Sequence, residues 1–319
     1  MQNIELHENI ISISKEAFKD CKILKSAWIR KSTDFVGKSV FENCNNIILY
    51  CEAEKKPEQW SEDWNISNRP VYWDVSAFGE EQGFNWIQSK NKKHIASYTG
   101  NEVEIWIPEQ IDEVEVIGIH EKAFQNNTTI QNVIIPNSIL QIGDYAFANC
   151  VALKKLWIGD RIITVNNTIF QDCTNLETIC LGQRIIDFPI NYDLANYEKL
   201  REIMVHQDNE SYSSKRGLLY NKDGNELLVY PQAKEETEFK LPPGLVSIKP
   251  QVAKNARFLN ALYIPASVTQ IGEGAFSNES LKYVYLYGEA SFGEAPEVSR
   301  YILRNREAEN QVNIERLSE

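Results

Sequence analysis

The apolar positions of this chain recur at a fixed interval. Residues 142–158 read I-G-D-Y-A-F-A-N-C-V-A-L-K-K-L-W-I, and the pattern returns 23 residues later as Ile169-Phe170, Cys173, Leu176, Ile179 and Leu181. Phe124 lies 23 before Phe147, Phe41 lies 23 after Phe18, and Phe276 lies 23 after Ala253. A period of that length marks a stacked repeat, in which each unit buries its apolar face only against its neighbours. Within one period Leu156 and Ile158 alternate with Lys155 and Trp157, the period-two mark of a strand with one inward face. Strands of successive coils then pair in parallel. Gly143 and Gly272 follow an isoleucine, where a tight bend makes a side chain or a positive φ costly. Ala-Phe opens what reads as a short helical turn, its phenylalanine plugging the interior. The expectation is an α/β repeat solenoid of 23-residue coils, with a parallel β-sheet on one side, short helical turns on the other and β-hairpin inserts.

In order, residues 1–52 carry two periods, around Phe18 and Phe41, and open part-way through a repeat with Ile4 and Leu6 at inward strand positions. That opening suggests a piece of a longer protein. Residues 53–100 read as a tryptophan-rich insert followed by short strands. Residues 53–75 leave the frame, and Trp60, Trp64 and Trp73 are expected to pack back on the stack. Short strands follow at Phe84 to Gln88, His94 to Tyr98 and Val103 to Ile107. Residues 101–287 resume the repeat through Phe124, Phe147 and Phe170, with a degenerate coil at Leu194. A hairpin insert is expected near 208–240, where Asp223-Gly224 separates L-L-Y from L-L-V-Y. The frame then runs through Leu245, Ala253, Leu262 and Phe276 to Leu286. Residues 288–319 form a cap or tail, with a helix expected from Pro296 to Arg306.

A-F-x-x-C-x-x-L with I-P or I-G at this spacing resembles the BspA-type (Treponema pallidum-type) leucine-rich repeat. I-I-P-N-S-I-L-Q-I-G-D-Y-A-F-A-N-C at 134–150 and Y-I-P-A-S-V-T-Q-I-G-E-G-A-F at 263–276 carry the likeness nearly position for position. The resemblance implies a leucine-rich-repeat horseshoe with its sheet on the concave side. It also implies an extracellular or cell-surface scaffold that binds proteins, in some members an adhesin for host matrix proteins. No secretion signal or wall anchor is visible in these residues, so a cytoplasmic setting is the alternative.

Composition narrows the function classes. Apolar residues make up 43% and charged residues 24%, enough to bury a core. A net charge of −12 argues against a nucleic-acid partner, whose phosphates need a basic face, and against docking on anionic lipid. No apolar run approaches the ~20 residues of a spanning helix, so membrane insertion is not expected. The six cysteines read as buried free thiols, since four of them share one small slot three residues after the repeat phenylalanine, and no C-x-x-C pair is present. His7, His94, His120 and His206 are scattered, and no H-E-x-x-H, G-x-S-x-G or phosphate-cradling loop occurs. Neither a catalytic residue nor a metal or cofactor is expected, and the chain does not read as an enzyme.

One feature rises above this background. The residue between the two inward strand positions points to the sheet's outer face. Down the stack these are Trp28, Tyr50, Trp106, Ile134, Trp157, Cys180, Met204, Tyr263 and Tyr285. Large apolar residues suit strands in any setting. A stripe of them on an open concave sheet is also a partner-binding surface. Trp28, Trp106, Ile134, Trp157, Met204, Tyr263 and Tyr285 are therefore the candidate site for a protein or glycan ligand. The alternative is a structural spacer within a larger surface protein.

Overall fold

The structure is a computed structural model. It describes residues 3–189, 197–276 and 279–288 in full, and the backbone of 291–292, 301–305 and 312–316. The chain divides into two units, Met1–Glu81 with Asn85–His94, and Gln82–Phe84 with Ile95–Glu319.

The first unit holds a four-stranded parallel sheet of Asn3–Glu5, Ser26–Ile29, Ile48–Cys51 and Val71–Tyr72. Ile4, Ala27, Leu49 and Val71 occupy one register line and face the core. Residues 53–75, expected to leave the frame, instead carry the stack on. Val71–Tyr72 adds the next parallel strand, and Trp64 stands 23 residues after Phe41 as that coil's plug. The Ser61 backbone N–H donates to the Val36 carbonyl at 2.8 Å, as a further coil requires. Trp60 and Trp64 are buried edge to face at 4.9 Å, and the Trp60 indole donates to the Thr33 carbonyl at 3.1 Å.

In the second unit five parallel strands form one ladder: Glu104–Trp106, Asn132–Ile134, Lys155–Trp157, Thr178–Leu181 and Glu202–Val205. Val133, Leu156, Ile179 and Ile203 fall on one register line, fully buried. Two antiparallel pairings follow. Tyr212–Lys215 pairs Leu218–Asn221, which pairs Glu226–Val229 across the Asp223-Gly224 turn. Glu238–Lys240, Ala261–Ile264, Tyr283–Leu286 and Tyr301–Asn305 then make a second parallel ladder, closed by an antiparallel strand Val312–Arg316. Residues 301–305, expected as part of a helix, are thus a strand. The rest of that segment, and Leu194, lie outside the described residues.

Among the described residues there is no helix, and the expected helical turns are corrected. The cause is visible in the amides. In the segment around Phe147, alternate N–H groups leave the coil: Phe147 donates to Ile169 at 2.8 Å and Asn149 to Gln171 at 2.8 Å. Those between them close turns, Ala148 onto Tyr145 at 3.0 Å and Cys150 onto Phe147 at 3.2 Å. A helix needs every amide for its own i→i−4 ladder, so pairing between coils excludes it. The alternation is set by residues in the left-handed region, Tyr145 at φ 58° and Asn149 at φ 57°. The same pair recurs as Lys122 and Asn126, and as Glu16 and Asp20. An Asn or Asp stands before the cysteine slot in each of these coils because those side chains tolerate positive φ.

The cysteine slot joins coils. The Cys44, Cys150 and Cys173 thiols donate to the carbonyls of Phe18, Phe124 and Phe147, one coil earlier, at 3.0, 3.1 and 3.1 Å. In the degenerate coil the Tyr197 hydroxyl takes over, donating to Phe170 at 3.2 Å. All six cysteines are free. The bend glycine is needed for closeness alone. Gly143 has no positive φ, yet a Cβ on it would lie 2.3 Å from the Glu121 nitrogen of the preceding coil.

Candidate functional site

In the five-stranded ladder each strand offers one outward residue next to a buried one. Backbone pairing places Trp106 beside Ile134, Ile134 beside Trp157, Trp157 beside Cys180 and Cys180 beside Met204. At about 4.8 Å per strand the row runs roughly 19 Å. Trp106 is 67% exposed and Met204 40% exposed; Ile134, Trp157 and Cys180 are half-buried. A polar row runs alongside: Glu104, Asn132, Lys155, Thr178 and Glu202. Glu104 accepts from the Trp106 indole at 3.1 Å and from the Asn132 amide at 3.4 Å, so the first tryptophan is held in one orientation. Burial pushes the Cys180 thiol up to about 12, leaving it a neutral apolar group in this row.

The remaining candidates are elsewhere. Tyr263 and Tyr285 are paired on the second ladder and stack at 4.5 Å and 7°. The Lys240 ammonium sits 5.3 Å from the Tyr263 ring, and the Tyr263 hydroxyl donates to Glu238 at 3.3 Å. Trp28 belongs to the first unit and is partly covered there. Phe78 meets it edge-on at 4.9 Å, and the Arg30 guanidinium lies 3.9 Å from its ring. Phe78 also stacks at 4.5 Å on Tyr50, which is buried. The stripe is thus brought together as one row only from Trp106 to Met204. Tyr263 and Tyr285 make a second, shorter patch.

Beside Trp106 the structure adds a cleft of about 590 Å³, absent from the sequence-based site. Phe84, Tyr98, Ile105 and Trp106 supply apolar walls, with Gln82, Asn101, Glu102 and Glu104 as polar groups and Gly83 and Gly100 between them. The glycines let two backbone segments touch: a Cβ on Gly83 would lie 2.8 Å from the Gly100 Cα. The Tyr98 hydroxyl is buried, and its proton has no acceptor among the described residues. Burial raises its pKa, partly opposed by the nearby Glu102 backbone N–H. Gly100 was the available signal, as a lone glycine between two predicted strands marks close backbone approach.

The histidines form no cluster. His7 and His206 each accept, through Nδ1, a backbone N–H two residues on, at 3.2 Å. Burial holds His94 below the usual imidazole value. Among the described residues no group of three or more potential ligands could hold a metal, and no helix is long and apolar enough to cross a membrane.

The family model for the BspA type leucine rich repeat region matches residues 1–56, 101–216 and 232–295, in six copies. The chain belongs to the BspA-type leucine-rich repeat family. The stacked parallel strands and the 23-residue register agree with that assignment. Among solved structures the chain is similar to a leucine-rich repeat protein from Eubacterium ventriosum, with 18% identity, 67% of each chain covered and a TM-score of 0.45. It is similar to a leucine rich cell surface protein from Faecalibacterium prausnitzii, at 23% identity over 70% of this chain and 79% of that one, TM-score 0.34. A third likeness is to the T. pallidum leucine rich repeat protein, at 18% identity over 69% and 84%, TM-score 0.33. None of the curated proteins compared with the chain matches it. In this BspA-type chain the unmatched stretch 57–100 contains the tryptophan coil and Phe78, and the unmatched 217–231 contains the Asp223-Gly224 hairpin.

Proposed function

We propose that this BspA-type protein is a non-catalytic recognition scaffold that binds a protein ligand across the outer face of the five-stranded ladder. The observation that supports it is the unbroken apolar row from Trp106 to Met204, ending at each side in an exposed large side chain. Contiguous exposed apolar surface on a folded chain marks a partner site, and tryptophan is the residue most enriched in binding hot spots. A stack this shape gives a rigid strand face, so little is lost in ordering the contact side chains. Family membership supports an extracellular or cell-surface setting, with an adhesin-like role toward matrix proteins.

The test is binding to a panel of immobilised extracellular-matrix proteins, with a glycan array alongside. Wild type should be retained on at least one protein. Trp106→Ser combined with Trp157→Ser should abolish retention while the circular dichroism stays as in wild type. Retention by the folded double variant sinks the face as the site.

A further inference from the structure

We propose that the cleft beside Trp106 is a socket for a cationic anchor, a lysine or arginine side chain of the protein partner. This rests on the reading of the adjoining face as the recognition surface. Three observations converge on it. The cleft opens at the end of the apolar row, where Trp106 belongs to both. Two carboxylates, Glu102 and Glu104, line it. Aromatic rings of Phe84, Tyr98 and Trp106 line it as well, and a cation held against such faces is attracted by their quadrupoles.

The chemistry selects a cation over a neutral ligand. Glu104 already accepts from the Trp106 indole and from Asn132, which fixes its carboxylate at the cleft wall. Glu102 adds a second negative charge two residues away, on a chain whose net charge is −12. An anion is repelled there, and a basic segment is drawn in from a distance. At about 590 Å³ the space admits a long side chain together with the backbone that bears it. Gly100 lets its backbone pack directly on the Tyr98 ring at the cleft, since a Cβ there would stand 2.4 Å from the Tyr98 hydroxyl oxygen.

The experiment uses the full chain and follows the Trp106 indole N–H resonance, assigned by its loss in Trp106→Phe. Probes are the capped tripeptides acetyl-Gly-Lys-Gly-amide and acetyl-Gly-Arg-Gly-amide, the norleucine analogue as the neutral isostere, and cellobiose as a neutral sugar. The lysine or arginine peptide should shift the resonance saturably and norleucine and cellobiose should not. Raising the salt tenfold should weaken the response, because both carboxylates are open to solvent. Glu102→Gln should weaken binding at least threefold, and Glu102→Gln with Glu104→Gln at least tenfold. Equal response to norleucine or cellobiose overturns the proposal, as does unchanged binding by the folded double-glutamine variant. No response to any probe, in a protein still retained on a matrix ligand, also overturns it and leaves the recognition face standing.

Discussion

Removing one aryl plug tests the stack at its centre. Phe147 has no exposed surface and lies over Phe124 with ring centroids 4.7 Å apart and planes 13° apart. A buried aromatic ring removes about 150–250 Å² from water, which at about 25 cal/mol per Å² amounts to roughly 4–6 kcal/mol. Alanine keeps part of that, so Phe147→Ala should cost about 3–5 kcal/mol. The Phe147 carbonyl also accepts the Cys173 thiol, so a backbone shift at 147 reaches the next coil directly. Phe18 provides the comparison. It too stacks on the next plug, Phe41, at 5.5 Å and 9°, but it is only half-buried. Phe18→Ala should cost about 1–2 kcal/mol, by the smaller area it removes from water. Urea unfolding followed by far-ultraviolet circular dichroism and tryptophan fluorescence reads both. Coupling between coils is nearest-neighbour, so Phe147→Ala should separate the two probes' transitions as well as lower the midpoint. If Phe147→Ala unfolds within about 1 kcal/mol of wild type, or costs no more than Phe18→Ala, the plugs do not hold the coils together.

Two further outcomes are expected. Gly143→Ala forces a Cβ to within 2.3 Å of the Glu121 backbone nitrogen, an atom that cannot swing aside. It should destabilise by about 1–3 kcal/mol or more, read as a lowered thermal midpoint, and a neutral result removes close approach as the reason for this glycine. His94 is held below its ordinary 6.5 by burial, so between its folded value and 6.5 the unfolded chain binds the extra proton. Stability should then fall as pH drops below 6.5, and His94→Gln should flatten that slope in urea midpoints measured from pH 7.5 to 5.0.

The stack itself was legible because one coil's burial demands repeat in the next. Val133, Leu156 and Ile179 are 23 apart in sequence and adjacent in the sheet, so period and register carry the same information. The one-residue stretch at the degenerate coil was equally plain, since Ile203 follows Ile179 by 24 and still pairs with it. The same logic failed at residues 53–75. That coil replaces phenylalanine with Trp64 and carries two prolines and a charge cluster on its exposed edge. Surface composition there departs from the pattern while the buried positions keep to it, and the spacing from Phe41 to Trp64 was the better guide.

The error over helical turns has a different origin. Ala-Phe-x-x-Cys places apolar residues three apart, which fits a helix and equally a chain of turns with one inward side. Apolar spacing cannot separate the two, because it reports what is buried and not where the amides go. The Asn or Asp before the cysteine slot does separate them. Asp20, Asn43, Asn126, Asn149, Asp172 and Asn255 all adopt positive φ, each at a cost of roughly 1–2 kcal/mol for a non-glycine residue. A cost repeated in coil after coil is tolerated only where each left-handed residue releases an amide to a neighbour, as Asn149 does to Gln171 and Asn126 to Ala148. The candidate site shows the same division. Its apolar row follows from strand alternation and was readable from the sequence. The cleft depends on Gly83 approaching Gly100 across 17 residues of chain, a contact that no period encodes. Under the proposed function, partner specificity therefore belongs where the repeat is interrupted, while the regular coils supply the face beside it.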